Sequence, residues 1–330
     1  MATISDVAKL SGLSKTTVSR VINNHPYVSD KKRDLVHQAM KELGYTPNPA
    51  ARRLRGQLTT TIGVIVPRIV NPFFAYLVDS IEQAAYKKGH QVLICQSNED
   101  KEKELAFMDL LKTKQVDGII MTSIENEWEM IRLYKEYGAI LLCNDYVNDA
   151  SVPMIRLDQE KGAYLGIEHL LKKGHHKIAY CTGGLFDEEG KGKDRNHGFQ
   201  KAMNHAGIKV NPKWIFVDQH TIEDGRSVLN QILEMKDRPT AVFTGSDEVA
   251  AGVMMEAKQH GLLIPDDLAI IGFDDQPLAE ILDPKLTTIR QPVDQMGDKS
   301  IEVMIEMLEN PEMEIRNVEL PIELIIRQST

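Results

Sequence analysis

The chain has 330 residues, 42% of them hydrophobic, and a formal net charge of −9. This length is too great for one small domain and allows more than one buried core. No apolar run is long enough for a signal peptide or a membrane helix, so we expect a protein of the cytoplasm that meets no membrane. The three cysteines are too few and too widely spaced for a disulfide framework, which favours buried thiols in a reducing compartment.

The charge is unevenly distributed along the chain. Residues 1–58 contain ten basic and four acidic residues, a net charge of +6, whereas the remainder carries −15. A basic segment on an acidic body is typical of a chain whose one end meets nucleic-acid phosphates. A solvated basic tail is the alternative, but the segment has ordered apolar periodicity and is not of low complexity.

Residues 1–46 predict three short helices. Thr3 and Asp6 occupy the positions of a capping box before the first helix. Ser14 is placed to cap the second helix, and the third is predicted to begin after Ser29.

The next segment, residues 47–58, has prolines at its entry and a glycine near its exit. Only about two helical turns fit between them, and so short a helix is marginal alone in water. We therefore expect a hinge or linker here.

From residue 59 onward, short apolar strands alternate with amphipathic helices, and the rhythm restarts after Pro153. This alternation predicts an α/β core with parallel sheets, divided into two similar lobes. A ligand would bind in their shared crevice, beside the carboxyl ends of the strands. Within this core of residues 59–330, we assign about 59–158 and 288–320 to the first lobe and about 159–287 and 321–330 to the second.

Seven short segments follow one another in the order and spacing of one known family. They are Thr3–Ala8, Gly12–Ser14, Thr17–Asn23, Tyr45–Asn48, Asn71–Phe74, Asp117–Ile120 and Gly272–Asp275. In these segments the chain resembles the LacI/GalR family of bacterial repressors, and more loosely its catabolite-control and sugar-operon members. The resemblance implies an all-helical helix-turn-helix headpiece and a two-lobed core like that of periplasmic binding proteins.

The resemblance also implies how such a headpiece meets DNA. The second helix enters the major groove, where Lys15, Thr16 and Arg20 match the base-reading positions. Leu54 matches a leucine that each subunit of a dimer pushes into the minor groove. For any of these residues alone, a solvated helix face is the simpler interpretation. The residues expected to contact DNA are Thr3, Ser14, Lys15, Thr16, Thr17, Ser19, Arg20, Asn23, Asn48, Ala51 and Leu54.

In the core, the resemblance places a ligand pocket between the lobes. Asp274 and Arg195 are expected to clamp neighbouring sugar hydroxyls, because a carboxylate accepts and a guanidinium donates hydrogen bonds. A turn after a strand would explain Asp274 equally well, and a surface ion pair would explain Arg195. The residues expected to line the pocket are Asn71, Phe73, Thr122, Ser123, Asn144, Arg195, His220, Ser246, Asp247 and Asp274.

Two departures from the family pattern leave the ligand open. Asn144–Asp145 stands where Asp-Arg is frequent, and Ser246 stands where an asparagine is frequent. The first changes the charge beside the pocket, and the second removes an amide.

The sequence therefore predicts a DNA-binding repressor, with no cofactor, metal or catalytic residue, that binds a pseudo-palindromic operator as a homodimer under control of a sugar-like ligand. The dimer is expected because no leucine-heptad tail follows the last strand. The Glu168–His169 and His175–His176 pairs lie among lysines and are interpreted as a polar helix end. The alternative function is a cytoplasmic sugar-binding module or a sugar-acting enzyme with the same core, but an enzyme needs a nucleophile or acid–base pair.

Overall fold

A computed structural model of the protein describes residues 2–22, 25–46, 58–186 and 192–330. Several predicted DNA contacts lie outside these residues, as does all of the predicted hinge except Leu58. The predicted contacts outside the described residues are Asn23, Asn48, Ala51 and Leu54.

The three predicted helices of the headpiece are confirmed. Thr3 and Asp6 form a reciprocal capping box at the first helix, and the Ser14 hydroxyl accepts a hydrogen bond from the Thr17 backbone N–H at 3.1 Å. These local bonds satisfy backbone donors that a helix start leaves without partners. The helices are α1 (Ile4–Ser11), α2 (Lys15–Ile22) and α3 (Asp30–Leu43).

A small hydrophobic core joins these helices. Val7 of α1, Val18 and Val21 of α2, and Val36 of α3 are buried together. Because Val18 and Val21 lie three residues apart, they share one helix face and leave the other face of α2 toward solvent.

The first lobe is a six-stranded parallel sheet with helices packed on it. The strand order is β11-β5-β4-β3-β1-β2, so β11, the last of these strands in the sequence, lies at one edge. Its elements are β1 (Thr61–Val66), α4 (Pro72–Lys87), β2 (Gln91–Gln96), α5 (Lys101–Lys112), β3 (Gly118–Met121), α6 (Trp128–Ile131), β4 (Ala139–Cys143), β5 (Met154–Leu157), α12 (Val293–Glu309) and β11 (Val318–Leu320).

The second lobe repeats this architecture. Its strand order is β12-β10-β9-β8-β6-β7, parallel except that β12 runs antiparallel to β10. Its elements are α7 (Gln159–Lys172), β6 (Ile178–Cys181), α8 (Lys193–His205), β7 (Ile215–Phe216), α9 (Ile222–Glu234), β8 (Ala241–Phe243), α10 (Asp247–Gln259), β9 (Ala269–Asp274), α11 (Leu278–Ile281), β10 (Thr287–Arg290) and β12 (Glu323–Ile325).

The central strands are buried along almost their whole length. Every residue of β9 and all but the first of β1 are buried. Helices on both faces of a parallel sheet produce this pattern, which explains why the strands read as continuous apolar runs.

The pairing of strand β10 shows that one predicted lobe boundary is wrong. We assigned residues from 288 onward to the first lobe, but Thr288 pairs with Gly272 and Ile289 with Phe273 in the second sheet. The chain therefore returns to the first lobe only after Arg290. In the described part of the chain it passes between the lobes three times, at Asp158, between β10 and α12, and between β11 and β12.

A close helix contact positions part of the later site. A Cβ atom on Gly198 of α8 would stand 2.1 Å from the Glu160 carbonyl oxygen of α7, so only glycine permits this approach. The contact brings Arg195, one turn earlier on α8, to Gln159 at the start of α7.

Cys95, Cys143 and Cys181 are buried free thiols. Burial raises the pKa of the Cys95 thiol to about 11 and that of Cys143 to about 12, so both are protonated at neutral pH. Among the described helices, none combines the length and the apolar character required to cross a lipid bilayer.

Candidate functional site

The solvent-facing side of α2 carries groups that can meet DNA. Lys15, Thr16 and Arg20 are exposed, whereas Val18 and Val21 on the other side are buried. Thr16 and Arg20 are four residues apart and therefore lie on one face of the helix. The structure thus gathers the three predicted base-reading residues on an accessible surface.

The other described residues that were predicted to contact DNA carry hydroxyl groups and lie on α2 or at the starts of α1 and α2. The Thr3 hydroxyl donates to the Asp6 carboxylate at 2.7 Å, and the Ser14 and Thr17 hydroxyls are 2.9 Å apart. Ser19 is half-buried on α2. Ser14 and Thr17 therefore lie at the N-terminal turn of α2, where the helix dipole is positive.

A cavity of about 640 Å³ lies between the two lobes of the core. It is bounded by the carboxyl ends of β1, β3 and β4 on one side and by segments after β6, β8 and β9 on the other. Nine of the ten predicted ligand residues line it. They are Asn71, Phe73, Thr122, Ser123, Asn144, Arg195, His220, Ser246 and Asp274.

Arg195 is fixed in the cavity wall by three contacts. Its Nε donates to the Gln159 Oε1 at 2.8 Å, and its Nη1 donates to the Gly245 carbonyl oxygen at 2.9 Å. The guanidinium carbon lies 3.6 Å from the centroid of the Phe273 ring. Stacking and hydrogen bonding hold the planar guanidinium group in one orientation in the cavity wall.

Asp274 ends β9 and is only 5% exposed. Its two carboxylate oxygens accept from the Gln291 Nε2 at 2.6 Å and the Gln276 Nε2 at 3.1 Å. Burial raises the pKa of this carboxyl to about 7, although Arg195 and the two amides act in the opposite direction. The residue has a φ of 113°, a conformation that aspartate and asparagine tolerate better than most residues.

Asp247 was predicted to line the pocket, and this assignment is wrong. The residue is fully buried below the cavity wall, and it is absent from the lining. Its carboxylate accepts from the Thr288 hydroxyl at 2.5 Å and the Gln276 backbone N–H at 2.7 Å. Burial and the nearby Asp274 raise its pKa well above the usual range. Asp247 therefore positions the loop that carries Asp274 instead of contacting a ligand.

On the first lobe, Asn71 and Thr122 use their side chains within the protein. The Asn71 Oδ1 accepts from the Phe73 N–H at 3.0 Å and caps α4. The buried Thr122 hydroxyl donates to the Ile65 carbonyl oxygen at 3.0 Å. These two residues shape the wall, while the Phe73 ring packs edge-on against Phe74 beside it.

Two more wall residues of the first lobe follow strand ends. The Ser123 hydroxyl donates to the Glu125 carboxylate at 2.7 Å. Asn144 has a φ of 80°, and its Nδ2 lies 3.4 Å from the Thr122 carbonyl oxygen. The weak contact of Asn144 leaves its amide available to a ligand.

On the second lobe, Ser246 caps α10 by accepting from the Val249 N–H at 3.2 Å. His220 lies at the rim, with its Nε2 3.6 Å from the Asp218 carboxylate and its ring against Gly183. A Cβ on Gly183 would be 2.7 Å from the His220 ring, so the glycine lets the imidazole lie over the strand end.

The sequence analysis missed a contact that joins the lobes. The Tyr146 hydroxyl, from the loop after β4, lies 2.6 Å from both carboxylate oxygens of Asp194 on α8. Burial and Asp194 raise the pKa of this phenol. Gln159 and Gln291, in two of the crossover segments, are joined by a hydrogen bond of 2.9 Å and also line the cavity. The position of Tyr146, two residues after the predicted Asn144, was the only sequence signal for it.

Two family models match the chain. Residues 3–48 match the model of the bacterial regulatory proteins of the lacI family, and residues 59–328 match the periplasmic binding proteins and sugar-binding domain of the LacI family. This chain belongs to the LacI family. The second match spans the whole cavity-bearing core, and the first spans α1 to α3.

Two of the similar proteins match nearly the full length of this LacI-family chain, and a third matches most of it. The NTD biosynthesis operon regulator NtdR of Bacillus subtilis (strain 168) is 44% identical, with 100% of each chain covered. A crystal structure of the lac repressor dimer bound to operator and the anti-inducer ONPF has a TM-score of 0.88 at 27% identity, covering 99% of this chain and 98% of that one. A LacI-family regulator from Lactobacillus casei with bound sucrose has a TM-score of 0.76 at 32% identity, covering 82% and 99%.

These matches confirm the predicted fold class and the general function. The protein is a LacI-type transcriptional repressor with a helix-turn-helix domain and a sugar-binding core. The known relatives are regulators of transcription, in agreement with binding as the task of this core.

Proposed function

We propose that this LacI-family repressor acts in the cytoplasm as a homodimer on a pseudo-palindromic operator, and that a sugar or sugar derivative in the inter-lobe cavity controls it. Two headpieces related by a two-fold axis read two half-sites, so the symmetry of the operator follows that of the dimer. A ligand that binds one relative lobe orientation better than another can change the operator affinity, by at most the difference between its binding free energies for the two orientations.

One observation carries the ligand part of this proposal. The cavity brings together a buried carboxylate, Asp274, and an immobilised guanidinium, Arg195, from elements almost 80 residues apart in sequence. Hydroxyl groups on neighbouring ring carbons of a sugar can donate to the Asp274 carboxylate and accept from the Arg195 guanidinium. Phe73, Phe74 and Trp128 add aromatic faces suited to the apolar side of a sugar ring.

On the DNA side, Lys15, Thr16 and Arg20 are proposed to contact base edges. Arginine can donate to two acceptors of a guanine, and its exposed place on α2 meets the geometric requirement of such readout. The hydroxyls grouped at the helix starts and on α2 are proposed to contact phosphates and set the register. These are Thr3, Ser14, Thr17 and Ser19.

We favour binding over catalysis for the cavity. Its buried polar groups are engaged in fixed hydrogen bonds, as between Asp274 and the two glutamine amides, and Arg195 is held by oxygen acceptors. A hydrolase of the serine or cysteine type would place its nucleophile within hydrogen-bond reach of a histidine base, and no such hydrogen bond joins the lining residues that the structure describes.

The proposal is tested in two steps on the full-length protein. A thermal-shift screen of mono- and disaccharides, sugar phosphates and purines should find a compound that raises the melting temperature, because a ligand of the folded state stabilises it by mass action. That compound should then change the affinity for operator DNA, selected from random sequence, in a fluorescence-anisotropy titration. Turnover of the compound, or binding that leaves operator affinity unchanged, would contradict the proposal.

A further inference from the structure

The inter-lobe cavity has an acidic lining. Among the described residues that line it, six carboxylates stand against three side chains with a permanent positive charge, namely Arg68, Lys193 and Arg195. Arg68 is already paired with Glu99 at 3.3 Å. The six carboxylates belong to Glu99, Glu127, Glu129, Asp145, Asp194 and Asp274.

Asp274, the most deeply buried of these carboxylates, has neutral partners. Both of its oxygens accept from glutamine amides, and within the described chain no lysine, arginine or histidine nitrogen lies within 4.0 Å of it. The nearby Arg195 is directed to the Gln159 and Gly245 oxygens and stacks on a phenyl ring. A buried carboxylate that lacks a directly paired cation is costly, and a cationic group of a ligand would lower that cost.

Asp194 presents a second carboxylate from α8. It accepts from the Tyr146 hydroxyl across the cavity, and the neighbouring Lys193 directs its ammonium toward the Tyr146 ring at 5.9 Å. Asp194 and Asp274 belong to the second lobe, and the other four carboxylates of the lining belong to the first. An anionic ligand would therefore meet carboxylates on both walls.

From this arrangement, and on the basis of the function proposed above, we infer that the effector is an amino sugar whose ammonium group binds Asp274. An ammonium offers three donors and a full charge, whereas a hydroxyl in the same place offers one donor and no charge. The aromatic side chains Phe73, Phe74 and Trp128 supply apolar surface for the sugar ring. The same lining selects against sugar phosphates and sugar acids.

Calorimetry with matched sugars tests this inference on the full-length protein. The probes are glucose, galactose and mannose, their 2-amino-2-deoxy counterparts, the N-acetylated forms of these amines, and glucosamine 6-phosphate. At least one amine should bind about tenfold or more tightly than its hydroxyl parent, as expected for a charge-assisted hydrogen bond in a buried site. N-acetylation should remove the advantage, since it abolishes the charge, and the phosphate should weaken binding.

Two charge-neutralising variants locate the effect. Asp274→Asn keeps the shape and tolerates the positive φ, and it should bring the affinity ratio of amine to parent to within about twofold of one. Asp194→Asn should lower the ratio less, about two- to threefold, because this carboxylate acts at longer range. Asp298→Asn, an exposed site on α12 remote from the cavity, is the matched control and should preserve the ratio. Melting curves establish that each variant is folded.

The outcomes separate this inference from the proposed function. Hydroxyl sugars that bind as tightly as their amines, or a sugar phosphate that binds more tightly, would overturn the inference and leave sugar control standing. An amine preference that survives in Asp274→Asn would also overturn it. If none of the sugars binds, both the inference and the proposed control by a sugar are overturned.

Discussion

The exposed face of α2, here called the reading surface, and the inter-lobe cavity differ in charge, in exposure and in how their residues are brought together. The reading surface is basic and exposed, and its three candidate contacts, Lys15, Thr16 and Arg20, lie within six consecutive residues. The cavity has an acidic lining between the lobes, and its wall extends from Pro67 to Gln291. A polyanion requires accessible cations on a rigid local scaffold, whereas a small ligand requires buried polar groups that only long-range packing can assemble.

The largest effect expected from this contrast is a pH dependence caused by burial in the second lobe. The pKa of Asp274 is raised from its ordinary value near 3.8 to about 7, so the folded state holds this proton more tightly than the unfolded state. The free energy of unfolding should therefore fall as pH rises from about 4 to about 7, by at most about 4 kcal/mol from this group. Arg195 and Glu248 are the charged groups that act on it.

Urea unfolding at pH 5 and pH 8 measures this effect. Asp274→Asn should have a flatter dependence than the wild type, whereas Asp298→Asn should follow the wild type. The residual slope in Asp274→Asn is expected from Asp247, whose pKa is raised in the same direction. Identical pH dependence in Asp274→Asn and the wild type would refute the role of this carboxyl.

The next effect concerns the reading surface. Arg20→Ala should lose about 1–3 kcal/mol of discrimination at one base pair of each half-site, because a bidentate contact to a base is removed. Ser19→Ala should lower the affinity for all DNA sequences by the same factor, as the loss of a phosphate contact would. Binding-site selection followed by anisotropy distinguishes the two, and ligand affinity in the core should be unchanged in both. Unaltered base preference in Arg20→Ala would show that the residue does not read a base.

A third effect tests the assignment of Asp247 as a positioning residue. Thr288→Val preserves the shape of a fully buried side chain but removes the hydroxyl that donates to Asp247 at 2.5 Å. The lost bond should destabilise the protein by about 1–3 kcal/mol and weaken ligand binding through the Asp274 loop. Operator affinity without ligand should stay at the wild-type level, measured beside urea unfolding and calorimetry. Wild-type stability in this variant would mean that the buried bond contributes nothing.

The smallest effect concerns the contact between the lobes. Tyr146→Phe and Asp194→Ala each remove the hydrogen bond across the cavity, which joins a phenol to a carboxylate at 2.6 Å. A double-mutant cycle on ligand affinity should give a coupling energy of about 1 kcal/mol, because the second change removes nothing once the first has broken the bond. Strictly additive effects would show that the two residues act independently.

The headpiece and the cavity also differ in how well they could be predicted from the sequence, because one depends on local signals and the other on long-range packing. The headpiece was predicted in detail because its signals are local: the capping box of Thr3 and Asp6 and the cap at Ser14 depend on residues within three positions of each other. The cavity was predicted where a polar residue ends a parallel strand, as Asp274 ends β9, since such ends share one edge of a sheet.

The errors in the cavity have a physical cause. Asp247 follows a strand as Ser246 does, and only the depth of burial, which no single sequence displays, distinguishes a supporting carboxylate from a ligand-facing one. Tyr146 and Gln291 were missed because their role depends on which loops of the two lobes face each other. The lobe boundary near residue 288 was misplaced for the same reason, since strand pairing between distant segments decides it.

The central claim is that occupation of the inter-lobe cavity controls the reading surface of α2. The most direct test is an anisotropy titration of a selected operator with wild-type protein and with Asp274→Asn, each with and without a saturating concentration of the sugar that calorimetry identifies. For the wild type, the account predicts that the sugar changes operator affinity by about fivefold or more, and this ratio measures the coupling free energy between the two sites. For the variant, it predicts little change. A ligand that binds the wild-type cavity with full occupancy and leaves operator affinity unchanged would contradict it.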